Sequence, residues 1–137
     1  MDCIHGAVLS VKLKHLQGWN DRRRERAQRD KDPLAGQDRI NFMSDRRDGD
    51  HVYHLPVVRV PGRNMVMHRL QEAGVGCGIH YPIPVHLQKA YSKLDLREGS
   101  VPVSEATASS ILSLAMYPEL TTAQIDEVFS VLVCSVT

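Results

Sequence analysis

No two of the three cysteines, Cys3, Cys77 and Cys134, lie close enough to form a C-x-x-C pair. Their odd number and wide spacing argue against a disulfide framework and a zinc cage, so they are expected as small buried hydrophobes or idle thiols. No apolar run approaches the roughly 20 residues that a bilayer-spanning helix needs. The first residues carry no short apolar stretch ending in a small-residue cleavage site, so a cytoplasmic address without membrane contact is expected. Charge of one sign is also missing. Seventeen basic side chains face 16 acidic ones for a net charge of +1, which leaves no long-range field to draw the molecule towards nucleic acid. No G-x-S-x-G, P-loop or G-x-G-x-x-G occurs, so the common motifs supply no catalytic constellation.

What is present suits one globular domain with a single core: 137 residues, 42% hydrophobic and 24% charged. From Ile4 to about Arg29 the pattern is helical, with Ile4, Val8 and Val11 on one stripe and Leu9, Leu13 and Leu16 on another. A helix with two apolar stripes wants partners on two sides, as a helix joining two bodies would. Its far end carries Arg22, Arg23, Arg24, Arg26 and Arg29, interleaved with Asp21 and with a Glu25 placed to pair with Arg22 or Arg29. A solvated face is expected there, since no aromatic side chains accompany the run as single-strand binding would require.

Residues 1–30 are thus expected as a long interdomain helix, 31–50 as a polar connector and 51–137 as a small α/β domain. In that last part, His51 to Val60 alternates as a strand does, and Pro56 pushes it towards an edge or a bulge. Asn64 is a candidate cap for a helix through Leu70, with Gly74 as its left-handed stop. Val75 to Ile79 is a short strand candidate. Two prolines make Tyr81-Pro82-Ile83-Pro84 a rigid extended loop. Ser104 is expected to cap a helix reaching about Leu112, Leu114 to Tyr117 to form a short strand, and Thr121 with Gln124 to make a capping box for a final helix. The fold class is therefore α/β: a long N-terminal helix followed by a short sheet covered by helices.

The most unusual stretch runs from Gly78 to Gln88 and places His80, Tyr81 and His86 on or beside the proline-stiffened loop. Such loops present binding residues at little ordering cost. From the residues alone the plainer reading is favoured, in which His80 and Tyr81 fill the core margin and the prolines end a strand. Metal binding by His51 with His54, or by His80 with His86, is not expected. Strand positions three apart face opposite ways, and no carboxylate or cysteine ligand accompanies the histidines.

Four segments in order nevertheless resemble the DegT/StrS-type sugar aminotransferases. They are Met1 to Leu16 with Trp19-Asn20 and Arg22-Arg23, then His51 to Leu55, then Gly78 to Gln88, and finally Ser113 to Thr121. Pro56, Gly6 and Ala115 depart from the family's usual residues. The resemblance implies the small C-terminal domain of a fold-type-I enzyme that uses pyridoxal phosphate (PLP). Such an enzyme works as a homodimer and moves an amino group from glutamate to a nucleotide-linked keto sugar. It also implies that His80 and Tyr81 contact the sugar nucleotide. The lysine that binds PLP covalently would lie in the large domain, and Lys12, Lys14, Lys31, Lys89 and Lys93 match none of the family's lysine motif. Met1-Asp2 resembles the end of the family's Asn-x-Arg-Met-Asp motif, so a truncated C-terminal fragment, inactive alone, is expected. The alternative is a stand-alone sugar-nucleotide binding or interaction module.

Overall fold

The computed structural model describes residues 2–29, 37–43 and 51–136. Helix α1 (Cys3–Leu13) starts at Asp2, whose Oδ1 accepts from the His5 backbone N–H at 2.9 Å. That bond, together with the His5 side chain, holds the Asp2 carboxyl below its ordinary range. Helix α2 (Leu16–Arg29) follows after a break at Lys14 and His15. The expected single helix is therefore two. The Lys14 and His15 N–H groups bond three residues back, to Val11 and Lys12, and this tighter turn interrupts the α-helical ladder. No residue of α1 is buried, and Ile4, Val11 and Leu13 are largely exposed.

Part of the arginine run is an anchor: Asp21, Arg22 and Glu25 are exposed as the charge pattern leads one to expect, but Arg23, Arg24 and Arg26 reach into the domain. Arg23 Nη1 donates to the Met116 carbonyl at 3.1 Å, Arg24 Nε to that of His51 at 3.2 Å, and Arg26 Nε to that of Leu120 at 2.7 Å. These carbonyls belong to irregular segments with no ladder partner for them, and a guanidinium satisfies such acceptors well. Ala27, one residue on, is buried. Glu25 pairs with neighbouring Arg26 at 3.6 Å, while Arg24 pairs with Asp21 at 2.9 Å. The Arg29 side chain lies outside the described residues.

Four short antiparallel strands form one sheet in the order β1-β2-β4-β3: β1 (Asn41–Phe42), β2 (Val57–Arg59), β3 (Cys77–Gly78) and β4 (Ile111–Leu114). Strand β1 corrects the expected polar connector. Ile40 is buried, and Phe42 packs its ring 6.2 Å from that of Phe129. Residues 30–36 and 44–50 of that connector lie outside the described residues. The strand expected over 51–60 shrinks to β2, because Tyr53 takes a left-handed φ of 48° and leaves the extended conformation. Strand β2 is also interior and not an edge. Pro56 stands just before it, where the missing N–H is not needed and its carbonyl still accepts from Leu114 N at 3.0 Å.

Helix α3 (Arg63–Glu72) starts from Gly62 at φ 60°, not from Asn64, whose Oδ1 instead accepts from Arg63 Nε at 3.0 Å. Gly74 ends it with φ 78°, as expected. Helix α4 (Pro102–Ser110) begins with Pro102 in its first turn, so Ser104 is not the cap, and it runs directly into β4 without a loop. The strand expected over 114–117 therefore sits three residues earlier. Helix α5 (Thr122–Val136) opens on the expected capping box: Thr121 N donates to Gln124 Oε1 at 2.9 Å and Gln124 N to Thr121 Oγ1 at 3.3 Å. Helices α3 and α5 cover one face of the sheet. Leu70, Leu112, Leu132, Val58 and Val60 are fully buried between them.

Candidate functional site

The second face of the sheet carries the site. Side chains alternate along a strand, so Leu112 and Leu114 enter the core while Ile111 and Ser113 face the other way. All four are nonetheless buried. What covers Ser113 is the loop that leaves β3. The His80 Nδ1 lies 3.0 Å from Ser113 Oγ, and this serine is 2% exposed. Gly78 eases the approach, since a Cβ there would stand 3.1 Å from His80 Cε1 and oblige the ring to give by a few tenths of an ångström.

His80 and Tyr81 are both exposed, Tyr81 at 72%, so they do not fill the core margin as the residues alone suggested. Their rings meet edge to face at 5.8 Å. From there Pro82-Ile83-Pro84 runs on as a loop that bends at Pro82 and Ile83, where a rigid extended course is expected, and enters two short 3-10 turns, Val85–Leu87 and Lys89–Leu94. An open cavity of about 530 Å³ lies between this loop and α4, lined by Tyr81, Ile83, Tyr91, Val103 and Ile111 among others.

His86 does not join His80 and Tyr81 at the surface. It is 9% exposed, and its Nε2 lies 2.9 Å from Glu105 Oε1 on α4. The same carboxylate accepts from Gly99 N at 2.8 Å and Val101 N at 3.1 Å, and those two backbone donors, ahead of His86, hold Glu105 below the ordinary glutamate range. Burial pushes the Cys77 thiol up, which leaves it a protonated, unreactive group on β3. Sequence reasoning passed over Ser113 and Glu105. The signal for Ser113 was there, a polar residue between two leucines in an apolar stretch; Glu105 had none beyond its place near a helix start.

His51 and His54 are not brought together as ligands. His51 Nδ1 accepts from Tyr53 N at 3.1 Å, and His54 lines a separate cavity of about 510 Å³ with Trp19, Arg23 and Tyr117. Among the described residues no group of three or more His, Cys, Asp or Glu is placed to hold a metal, and no helix is long and apolar enough to cross a membrane. PLP needs a lysine within reach of its aldehyde. Lys12, Lys14, Lys89 and Lys93 are exposed and none lines the cavity beside Tyr81, while Lys31 lies outside the described residues.

Known proteins supply the context. The sequence profile of the DegT/DnrJ/EryC1/StrS aminotransferase family matches residues 1–133. The erythromycin biosynthesis sensory transduction protein EryC1 of Saccharopolyspora erythraea is 40% identical over 132 residues, covering 96% of this chain and 36% of that protein. The dTDP-3-amino-3,4,6-trideoxy-alpha-D-glucose transaminase of Streptomyces venezuelae is 38% identical over 120 residues, covering 88% of this chain and 32% of its own length. The crystal structure of DesV from S. venezuelae superposes with a TM-score of 0.86 at 38% identity, over 91% of this chain and 34% of that one. An aminotransferase of the same family from Brucella abortus gives a TM-score of 0.86 at 31% identity, over 96% of this chain and 35% of its own. The chain thus spans about a third of the length of the relatives it matches. With a matching profile over nearly all its residues and the same mixed α/β fold, the chain belongs to the DegT/DnrJ/EryC1/StrS aminotransferase family.

Proposed function

We propose that this chain supplies the substrate side of a PLP-dependent aminotransferase acting on nucleotide-linked keto sugars, with glutamate as amino donor, and that His80 and Tyr81 touch the sugar nucleotide. The observation that carries this reading is the His80 imidazole, fixed through Nδ1 to buried Ser113 and exposed beside the Tyr81 phenol. That leaves Nε2 and the phenol hydroxyl to exchange hydrogen bonds with sugar hydroxyls or phosphate oxygens. The dTDP-sugar transaminase activity named for the Streptomyces venezuelae relative supports the substrate class. In the full-length form we expect a cytoplasmic homodimer.

Full-length members of the family use PLP, which supplies the electron sink for amino transfer. Because none of the described lysines lines the cavity beside Tyr81, we infer that this chain alone does not hold the cofactor and performs no transfer. The same observation favours a second reading, a module that binds a sugar nucleotide without transamination. Two measurements test both. Addition of PLP is expected to produce no absorbance band of a lysine-bound cofactor; such a band would overturn the inference on PLP. Titration with dTDP-glucose is expected to show binding that His80→Ala with Tyr81→Phe abolishes. Unchanged binding by that double variant would remove His80 and Tyr81 from the site.

A further inference from the structure

His86 is a buried imidazole that the proposed substrate contacts do not use. We propose that His86 and Glu105 are positioning residues, which lock the His80–Val85 loop in the conformation that presents His80 and Tyr81. The inference rests on the reading that those two side chains meet the sugar nucleotide.

The loop is pinned at both ends. At its start the His80 Nδ1 meets Ser113 Oγ at 3.0 Å, and at its end the His86 Nε2 meets Glu105 Oε1 at 2.9 Å. Both pins stand on a single segment, because α4, which carries Glu105, passes without a loop into β4, which carries Ser113. The two partner groups are therefore held at a fixed separation by continuous hydrogen-bonded backbone. Between the pins, Pro82 and Pro84 each fix one φ, which narrows the courses the loop can take. A loop so constrained meets a ligand with little left to order.

Glu105 is itself held. Its two oxygens accept from Gly99 N and Val101 N, so the carboxylate is already aimed when His86 reaches it. The side chains of His86 and Glu105 are 8% and 17% exposed, which shelters the bond from water. An apolar residue of similar size would fill the place of His86 and keep the packing. What it would lose is direction, and direction is what a presenting loop needs.

The experiment compares His86→Phe, which fills the volume without the hydrogen bond, with His86→Gln, whose Nε2 can still donate to Glu105. Hydrogen exchange of the Leu87 and Gln88 amides, which donate to the Pro84 and Val85 carbonyls of the loop at 3.0 and 3.2 Å, is read against that of Leu70, Leu112 and Leu132 in the core. In His86→Phe the loop amides are expected to exchange about tenfold faster while the core amides keep their protection, the size following from loss of one hydrogen bond to a charged group. His86→Gln is expected to restore slow exchange. Unchanged loop exchange in His86→Phe overturns the proposal, as does an equal acceleration of loop and core, which would make the pair a general stabilising contact. Affinity for dTDP-glucose is expected to fall with loop protection and return in His86→Gln. Loss of loop protection in a protein whose unaltered form binds no dTDP-glucose would overturn the substrate reading and leave the locking of the loop standing.

Discussion

The two faces of the sheet are built on different physical terms, and β4 shows it within four residues. Leu112 and Leu114 join a core of aliphatic side chains and Phe129 under α3 and α5, where buried area is what counts. On the opposite face Ser113 meets the His80 ring at hydrogen-bonding distance, and neighbouring Ile111 lines the cavity below Tyr81. The first face tolerates any filling of the right volume; the second depends on which atom points where. The core face thus holds the domain together, while the other face orients the exposed pair.

That contrast can be broken in a graded series. Leu112→Ala is expected to cost about 2–5 kcal/mol in urea unfolding, because the site is fully buried and a cavity remains. A cost no larger than that of Ser113→Ala would abolish the distinction. Ser113→Ala is expected to cost about 1 kcal/mol. It should release the His80 ring, seen in imidazole ¹⁵N spectra as exchange between tautomers, and weaken dTDP-glucose binding. Gly78→Ala adds apolar surface on the site face and should leave stability within about 1 kcal/mol. Its new Cβ would stand 3.1 Å from His80 Cε1 and oblige the ring to give by a few tenths of an ångström, so the same spectra should report a smaller change than in Ser113→Ala.

The smallest expected effect is set by pH. Glu105 has a folded pKa below its unfolded value, so its contribution is fully present above the ordinary glutamate range and fades as pH falls through the folded value. The stability difference between the unaltered protein and Glu105→Gln should therefore shrink on acidification. A difference that stays constant from neutral to strongly acid pH would show that the Gly99 and Val101 bonds do not favour the charged carboxylate.

Features encoded by neighbours in sequence were legible in advance. The Thr121 and Gln124 capping box and the Gly74 stop each follow from residues within a few positions of one another. Features decided across the chain were not. Strand β1 hides in a polar stretch because only pairing with β2 gives Asn41–Phe42 a ladder. The arginines of α2 read as a solvated face until Arg23 and Arg26 find carbonyls at Met116 and Leu120, far along the sequence. Strand β4 shows no clean alternation because it is buried on both faces. At the site, the resemblance singled out His80 and Tyr81, Ser113 stood out only as a polar residue between two leucines, and Glu105 acquires meaning only once the loop lies against α4.

The direct passage from α4 into β4 makes the Ser110–Ile111 junction a ruler. Connections in most proteins absorb an added residue at the surface. Here one added residue would turn the strand over, send Ser113 to the core face and Leu112 to the other, and change the spacing between Ser113 and Glu105. Segment 102–114 should accordingly accept changes of side chain far more readily than changes of length.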